Sequence, residues 1–345
     1  MDKFFNTADA EGFKRRPPPS YFYLDWIQRK AEWRTISNAP NQKNIKFSSV
    51  VRWKELKNLN INICTNYAEP KSDSNFGGID NPYTNVSYLK SHLQKSVRRS
   101  DVWRTIKTSY HMMLLDLQSF LRRLCIIALE DALPLEGFNV LVWFTSAVSK
   151  GYNMSDSQKC WCLGYAMKLA ECPHYEIHEH SDEDFDLTKN KLYRLDQKRS
   201  DLLYSIQFRK AYGGMRGDKW MLNSLAERWH NRFIEDPEKW WLTLKAHIPF
   251  VLPPEEPLEI GEWILAAIDF HCCPGILNNL SMTYDGYTEE EIKSAIWHYS
   301  SSITNKIVID GHEPALIDPS LEPIWSTISK KFNGMAGFLL KVSLG

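Results

Sequence analysis

Glycine is scarce in this sequence, with 16 residues among 345, whereas tryptophan is frequent, with 13. Glycine supplies the positive backbone φ angles and close backbone approaches of tight turns and dinucleotide-binding loops. The composition therefore favours packed helices over a glycine-rich barrel or a Rossmann-type enzyme. Apolar residues make up 43% of the chain, which is enough for a packed core.

Long apolar runs are also missing. No stretch approaches the ~20 consecutive apolar residues of a membrane-spanning helix, and residues 1–20 contain no apolar signal core. The seven cysteines are spaced irregularly. We therefore expect no membrane segment and an intracellular protein with reduced thiols, located in the cytoplasm, the nucleus or a virion.

Net charge is absent as well, because 42 Lys and Arg balance 42 Asp and Glu. This balance excludes a protein that coats DNA with its whole surface. The charges are nevertheless segregated, with +6 in residues 87–125, +6 in 187–220, −8 in 130–186 and −11 in 250–323. These blocks are either solvated helix faces or an electropositive surface for phosphates beside an acidic surface for another partner.

Periodicity predicts an all-α fold, a multi-helix array of mostly antiparallel helices with a short irregular N-terminal arm. The arm ends in the stiff, basic segment "KRRPPPS". We expect residues 1–86 to form this arm and a small helical region, and 87–345 to form the main helical domain. A further subdivision is expected near the Pro-rich joint at 248–258. No stretch shows clear strand alternation.

The helices are predicted from apolar spacing and end signals. Asp101 is a good N-cap for one helix, and Pro134 ends the helix that carries "FLRRLCIIALE". The other predicted helices cover residues 21–36, 47–60, 137–151, 156–173, 191–211, 219–233, 260–272 and 288–303.

Two basic clusters stand out in the helical region. "LQKSVRRSD" places Lys95, Arg98 and Arg99 within about one helical turn, and "FLRRLCIIALEDALP" contains Arg122 and Arg123. The planar guanidinium donates two parallel hydrogen bonds to a phosphate, so these residues are candidates for nucleic-acid binding. Alternatively, the arginines pair with nearby carboxylates, for which the candidates are Asp101, Glu130 and Asp131.

These two segments resemble the helical C-terminal domain of replication-associated recombination ATPases of the MgsA/RarA type. The match covers about residues 87–134. Freestanding helical domains of phage and large-virus DNA-modification proteins resemble this chain more closely than the ATPases do. The resemblance implies an all-helical region that assembles an oligomer. The matching residues are Lys95, Ser96, Arg98, Ser100, Asp101, Arg122, Arg123, Leu124, Glu130 and Asp131.

ATP hydrolysis does not follow from this resemblance. The sequence contains no Gly-x-x-x-x-Gly-Lys-Ser/Thr phosphate loop. The residues that precede the motif are too few to hold an ATPase core. We therefore expect no ATPase activity and no cofactor.

A third candidate is "YGGMRGDKW", where Gly213 and Gly214 allow close backbone approach to a ligand and Arg216 and Lys219 supply positive charge. It follows an aromatic and basic run that includes Arg209 and Lys210, on which bases could stack. The structural alternatives are a helix-to-helix turn capped by Asp218 and aromatic rings buried in the core.

One segment offers candidate residues for acid–base chemistry. "AIDFHCCPG" offers Asp269 and His271 as candidate acid–base residues, although a buried histidine at a helix end explains the same pattern. A metal is not expected. A zinc site needs four convergent ligands, and the spacing of the cysteines and histidines between Cys160 and His180 does not direct their side chains towards one point.

We therefore predict a nucleic-acid-associated helical module in DNA replication, repair, modification or packaging. It would bind DNA or RNA through phosphate contacts and form a homo-oligomer or part of a larger assembly, away from membranes. One alternative is a DNA base-modifying or repair enzyme with a site at "YGGMRGD" and "DFHC". Another is a structural protein, such as a virion component, in which basic and acidic surfaces pair.

Overall fold

The computed structural model describes residues 17–54, 56, 58–67, 76, 84–177, 185, 192–213, 216–268, 274–281, 286–311 and 318–344. It contains both helices and strands, so the prediction of an all-α fold is wrong. The strands are β1 (Tyr21–Asp25), β2 (Lys30–Arg34), β3 (Phe47–Trp53), β4 (Leu59–Thr65), β5 (His174–Tyr175) and β6 (Ile307–Val308).

Helices nevertheless dominate the described chain. They are α1 (Val86–Arg98), α2 (Val102–Glu130), α3 (Phe138–Val148), α4 (Asp156–Glu171), α5 (Gln197–Ala211), α6 (Arg216–Glu235), α7 (Pro237–Leu244), α8 (Pro274–Ser281), α9 (Glu289–Ile296) and α10 (Leu321–Leu344). A π-helical turn, Trp297–Ser301, follows α9.

Strands β1 to β4 form a mixed sheet in the order β2-β1-β4-β3. Strand β1 is antiparallel to β2 and parallel to β4, and β3 is antiparallel to β4. The predicted helix at 21–36 is therefore a hairpin. Its aromatic residues favour a pleated surface, and Arg29, at φ +54°, allows the tight turn between β1 and β2.

The predicted helix at 47–60 is also wrong, because residues 47–53 form strand β3. Its side chains alternate between a more exposed and a more buried face, with Ser48, Val50 and Arg52 exposed. This period of two is typical of a strand and differs from the helical period of about 3.6.

Contacts divide the chain into two compact units. Unit 1 comprises Met1–Asp73, Pro134–Gln158 and His178–Ile248, and unit 2 comprises Ser74–Leu133, Lys159–Ile177 and Pro249–Gly345. By sequence, unit 1 has 27 Lys and Arg against 22 Asp and Glu, and unit 2 has 15 against 20. The net charges are therefore +5 and −5.

Unit 1 is built around aromatic side chains between the mixed sheet and helices α3 and α5. The rings of Phe22 and Trp33 stack with centroids 4.1 Å apart, and Phe208 packs edge-on against Trp33 at 5.0 Å. Trp33 Nε1 donates to Ser205 Oγ at 2.9 Å. Trp143 Nε1 donates to the Phe22 carbonyl at 3.0 Å, so these indole N–H groups are satisfied. The core alternative for the aromatic run is confirmed at Phe208, which is fully buried.

Unit 2 contains α1 packed on α2, with α10 packed on α8 and α9. Asp101 is the N-cap of α2, as predicted, and its Oδ1 accepts from the backbone N–H of Arg104 at 3.0 Å. Helix α2 is kinked at Asp116, where the backbone is not helical. Asp116 Oδ1 accepts from the backbone N–H of Ser119 at 2.9 Å and so caps the second half of the helix.

Several other helix predictions are confirmed by α3, α4, α5, α6 and α9. The predicted helix at 260–272 is wrong in its described part. There the chain forms two short 3₁₀ turns, Ile260–Glu262 and Leu265–Ala267. None of the helices in the described ranges is long and apolar enough to cross a lipid bilayer.

Candidate ligand-binding cleft in unit 2

A cleft of about 440 Å³ opens in unit 2. Its polar side is formed by Arg99, Asp101 and Arg104, which come from the joint between α1 and α2 and the first turn of α2. Its apolar side includes Trp263 and Ile303. Charged groups and apolar surface therefore meet in one concave site, which is typical of small-ligand pockets.

The backbone of the joint places these charged side chains. Arg99 is the C-cap of α1, and its N–H donates to the Lys95 carbonyl at 3.0 Å. Ser100 then adopts a positive φ of +56°, which turns the chain out of the helix. Asp101 starts α2 immediately afterwards, so Arg99 and Arg104 lie on either side of a sharp bend.

Arg99 has no negatively charged partner among the residues that the structure describes. Its Nη2 donates to the Ser300 carbonyl at 3.0 Å. Its Nε is buried and has no hydrogen-bond partner among the described residues, and no carboxylate of that part of the chain forms an ion pair with it. Burial lowers the pKa of the Arg99 guanidinium, and the nearby charges of Arg98 and Arg104 lower it further. An anion in the cleft would relieve this electrostatic cost.

Arg104 is held in place on the other side of the bend. Its Nη1 pairs with Asp101 Oδ2 at 2.5 Å, and its Nε donates to the Glu262 carbonyl. Asp101 is the single carboxylate among the described residues that line the cleft. The lining therefore keeps one positive charge in excess, and the guanidinium of Arg99 carries it.

Aromatic rings form much of the remaining wall. Tyr299, from the π-helical turn, and Trp325, from α10, are half-buried and nearly parallel, with an interplanar angle of 8° and centroids 6.1 Å apart. Trp263 packs its ring against His92 at 4.7 Å. His92 is fully buried, and burial lowers the pKa of its imidazole to about 3, so it is neutral at pH 7.

The neighbouring cations of the basic motif are directed into the protein. Arg98 is 8% exposed, pairs with Asp131 at 2.5 Å and donates from Nη1 to the Ser301 carbonyl at 2.7 Å. Lys95 is 4% exposed and donates to Ser91 Oγ at 3.2 Å. Pairing with a carboxylate, the alternative considered from the sequence, is observed for Arg98.

The second arginine pair lies on α2 and does not line the cleft. Arg122 is half-buried. Arg123 is also half-buried and donates from Nη2 to Gln94 Oε1, which ties α2 to α1. Of the residues predicted to bind nucleic acid within unit 2, the cleft therefore contains Arg99 alone.

The remaining candidates belong to unit 1. Arg209 is 2% exposed and donates to the Gly213 carbonyl at 2.8 Å, which supports the positive φ of +79° at Gly213. Lys210 donates to Asn223 Oδ1 at 3.2 Å. Arg216 and Lys219 are exposed in the first turn of α6. Gly214 lies outside the described residues.

The candidate acid–base residues, Asp269 and His271, also lie outside the described residues. Within the ranges that are described, no group of three or more His, Cys, Asp and Glu side chains could hold a metal ion. Cys160 and Cys162 are buried, and burial raises the pKa of the Cys162 thiol well above its usual value. That thiol is therefore poorly suited to act as a nucleophile or metal ligand at pH 7.

Arg104, Tyr299 and Trp325 line the cleft and were not among the site residues predicted from the sequence. Arg104 carried a usable signal, because it stands three residues after a helix-capping aspartate on the same bend as Arg99. Tyr299 and Trp325 carried none, because their proximity to Arg99 arises from tertiary packing. The contact between Arg99 and Ser300, for example, spans 201 residues of sequence.

Comparisons with protein-family models, with characterised proteins and with solved structures find no significant match for this chain. The resemblance to the recombination ATPases therefore depends on the motif residues alone and stays a prediction.

Proposed function

We propose that this protein is a nucleic-acid-associated module that contacts a phosphate at the cleft of unit 2 and does not hydrolyse ATP. It would act in DNA replication, repair, modification or packaging. The observation that carries the proposal is the Arg99 guanidinium, which lines the cleft without a carboxylate partner among the described residues. A partly buried guanidinium beside two other guanidinium groups is an unfavourable arrangement that a bound anion stabilises.

The chemistry of the lining favours a phosphate that is attached to a base. Arg99 and Arg104 can donate charge-assisted hydrogen bonds to phosphate oxygens. Tyr299 and Trp325 offer aromatic surface, on which a nucleobase stacks favourably. A simple inorganic anion would make no use of these rings, whereas a nucleotide unit uses both halves of the cleft.

Binding of a labelled oligonucleotide at low salt, followed by fluorescence anisotropy, tests this proposal. Arg99→Glu replaces the attraction for phosphate with repulsion, so we expect affinity to fall at least ~10-fold. Lys330→Glu is the matched control, because it makes the same charge change at an exposed position of α10 that does not line the cleft. Equal affinities for both variants would contradict the proposal.

The opposite net charges of the two units favour a second candidate, an assembly protein. Copies of the chain would then associate through complementary surfaces, unit 1 carrying +5 and unit 2 carrying −5. This candidate predicts salt-sensitive self-association of the wild-type chain that Arg99→Glu does not selectively weaken.

A further inference from the structure

We infer that the cleft takes one unpaired nucleotide of a single strand, with the base against the apolar wall and the phosphate at Arg99. This inference depends on the proposed function and specifies its ligand. It follows from the shape and lining of the cleft, from exposed aromatic rings elsewhere in unit 2 and from the charge of unit 2.

The apolar wall is the first reason. Trp263, Ile264, Leu265 and Ala266 follow one another along one segment, and Ile303 lies in the same lining. Contact with the outside of a duplex requires cations and hydrogen-bond donors at the phosphates, and a recess lined by apolar groups adds nothing to it. A base that has left its stack, in contrast, gains stabilisation by entering such a recess.

The dimensions agree with a single nucleotide. Pockets for small organic groups are on the order of 300–1,000 Å³, and this one is about 440 Å³. Asn333 also lines the cleft, and its amide can both donate to and accept from the edge of a base. An unpaired base presents that edge, whereas pairing in a duplex occupies much of it.

Two exposed aromatic residues of unit 2 stand close in sequence to cleft residues, and neither of them lines the cleft. Trp103 precedes Arg104 and is 53% exposed, and Trp297 precedes Tyr299 by two residues and is 41% exposed. Lys107 Nζ lies 4.9 Å from the centre of the Trp103 ring. Exposed rings of this kind are surfaces on which other bases of a strand can stack, and a free nucleotide would leave them unused.

The charge of unit 2 disfavours extended contact with a duplex. The unit has 20 Asp and Glu against 15 Lys and Arg. Double-stranded DNA carries about one negative charge per 1.7 Å of its axis, so a long contact would bring many phosphates towards carboxylates. A flexible single strand has a lower charge density and can place one nucleotide in the cleft while its neighbours avoid the acidic residues.

The experiment compares a labelled single-stranded oligonucleotide with a hairpin duplex of the same composition, again by anisotropy on the full chain. The wild-type chain should bind the single strand at least ~10-fold more tightly. Trp325→Leu and Tyr299→Leu each remove one stacking surface and should weaken single-strand binding by roughly 5- to 100-fold. Phe338→Leu is the matched control, since Phe338 is a 64% exposed ring of α10 outside the lining.

The outcomes separate this inference from the proposed function. If single strand and duplex bind equally and Trp325→Leu matches Phe338→Leu, while Arg99→Glu still weakens binding, the unpaired nucleotide is excluded and the proposed function stands. If Arg99→Glu has no effect, both are contradicted. If a free mononucleotide competes as effectively, per nucleotide, as the oligonucleotide does, that result contradicts the inference that the ligand is a strand. If one aromatic variant fails to fold, the other variant and the wild-type preference for single strand decide.

Discussion

Arg98 donates a hydrogen bond from Nε to Asp131 Oδ1 over 2.5 Å, and both side chains are buried in unit 2. The next residue, Arg99, has no such partner among the described residues and lines the cleft instead. Two consecutive arginines of one motif therefore have different roles. Arg98 stabilises the joint between helices, and Arg99 is the candidate contact for a phosphate.

We predict that Asp131→Ala lowers the free energy of unfolding by about 3 kcal/mol, because the buried Arg98 guanidinium loses its closer carboxylate and keeps only Glu130, at 3.6 Å, as a counter-charge. Urea denaturation measures this change.

The double variant Arg98→Met and Asp131→Leu should recover much of the loss, because it removes both buried charges. As a control, Glu171→Ala breaks the exposed Lys168–Glu171 pair and should cost less than about 1 kcal/mol. Similar losses for Asp131→Ala and Glu171→Ala would contradict the buried ion pair.

Alanine should have opposite effects at two helical glycines of unit 2. A Cβ added at Gly164, in α4, would lie 1.9 Å from the Pro249 carbonyl oxygen. We expect Gly164→Ala to destabilise the protein by about 1–3 kcal/mol, because the backbone must move to relieve the clash. A Cβ at Gly337, in α10, meets nothing within 4 Å, and Gly337→Ala should stabilise by roughly 0.5–1 kcal/mol. Thermal melts of the two variants test this difference in sign, and a stabilised Gly164→Ala variant would show that α4 does not approach Pro249 so closely.

The stability should fall in mild acid because of His92. Its folded-state pKa of about 3 lies below the ordinary value of 6.5, so between these pH values the unfolded chain binds a proton that the folded chain does not. Stability is therefore lost as pH decreases below about 6.5, and His92 contributes about 2 kcal/mol of loss between pH 7 and pH 5. Burial lowers the pKa of His111 as well, to about 4, in the same direction.

Urea denaturation at pH 7 and pH 5 measures the contribution of His92. His92→Gln should lose about 2 kcal/mol less than the wild type between these pH values, whereas His247→Gln, at an exposed position, should behave like the wild type. An unchanged loss in His92→Gln would show that His92 is not buried in its neutral form.

The resemblance to an assembly domain predicts an oligomer. Light scattering at working concentration should give a mass well above the 40.2 kDa of one chain. Because Lys95, Arg98 and Asp131 of the motif are buried within unit 2, we expect other surface residues to form the contact. A clean monomer across dilution and salt would count against the resemblance.

The helices could be predicted from the sequence where apolar spacing and end signals agreed. Asp101 caps α2 as expected, and the end of α2 at Glu130 agrees with the stop signal of Pro134. The sheet of unit 1 could not be predicted in the same way, because the apolar run Phe22–Leu24 is buried at three consecutive positions and hides the strand period. Its strand identity depends on pairing with β2 and β4, which is a tertiary property.

The candidate site was predictable in part. The arginine pair drew attention to Arg98 and Arg99 together, and sequence spacing alone could not decide which of them pairs with a carboxylate. Asp131 lies 33 residues beyond Arg98, and only the packing of α1 against α2 brings these two side chains together. Similarly, the identity of Tyr299 and Trp325 as cleft residues depends on packing between distant segments.

The salt dependence of single-strand binding tests most directly whether Arg99 contacts a phosphate. Each phosphate neutralised on a single strand contributes about −0.7 to the slope of log affinity against log salt concentration. With Arg99 and Arg104 as contacts, the wild-type slope should be about −0.7 to −1.4. Arg99→Gln should make this slope less negative by about 0.7, and Lys330→Gln should leave it unchanged. A slope that is the same in the wild type and Arg99→Gln would contradict the account.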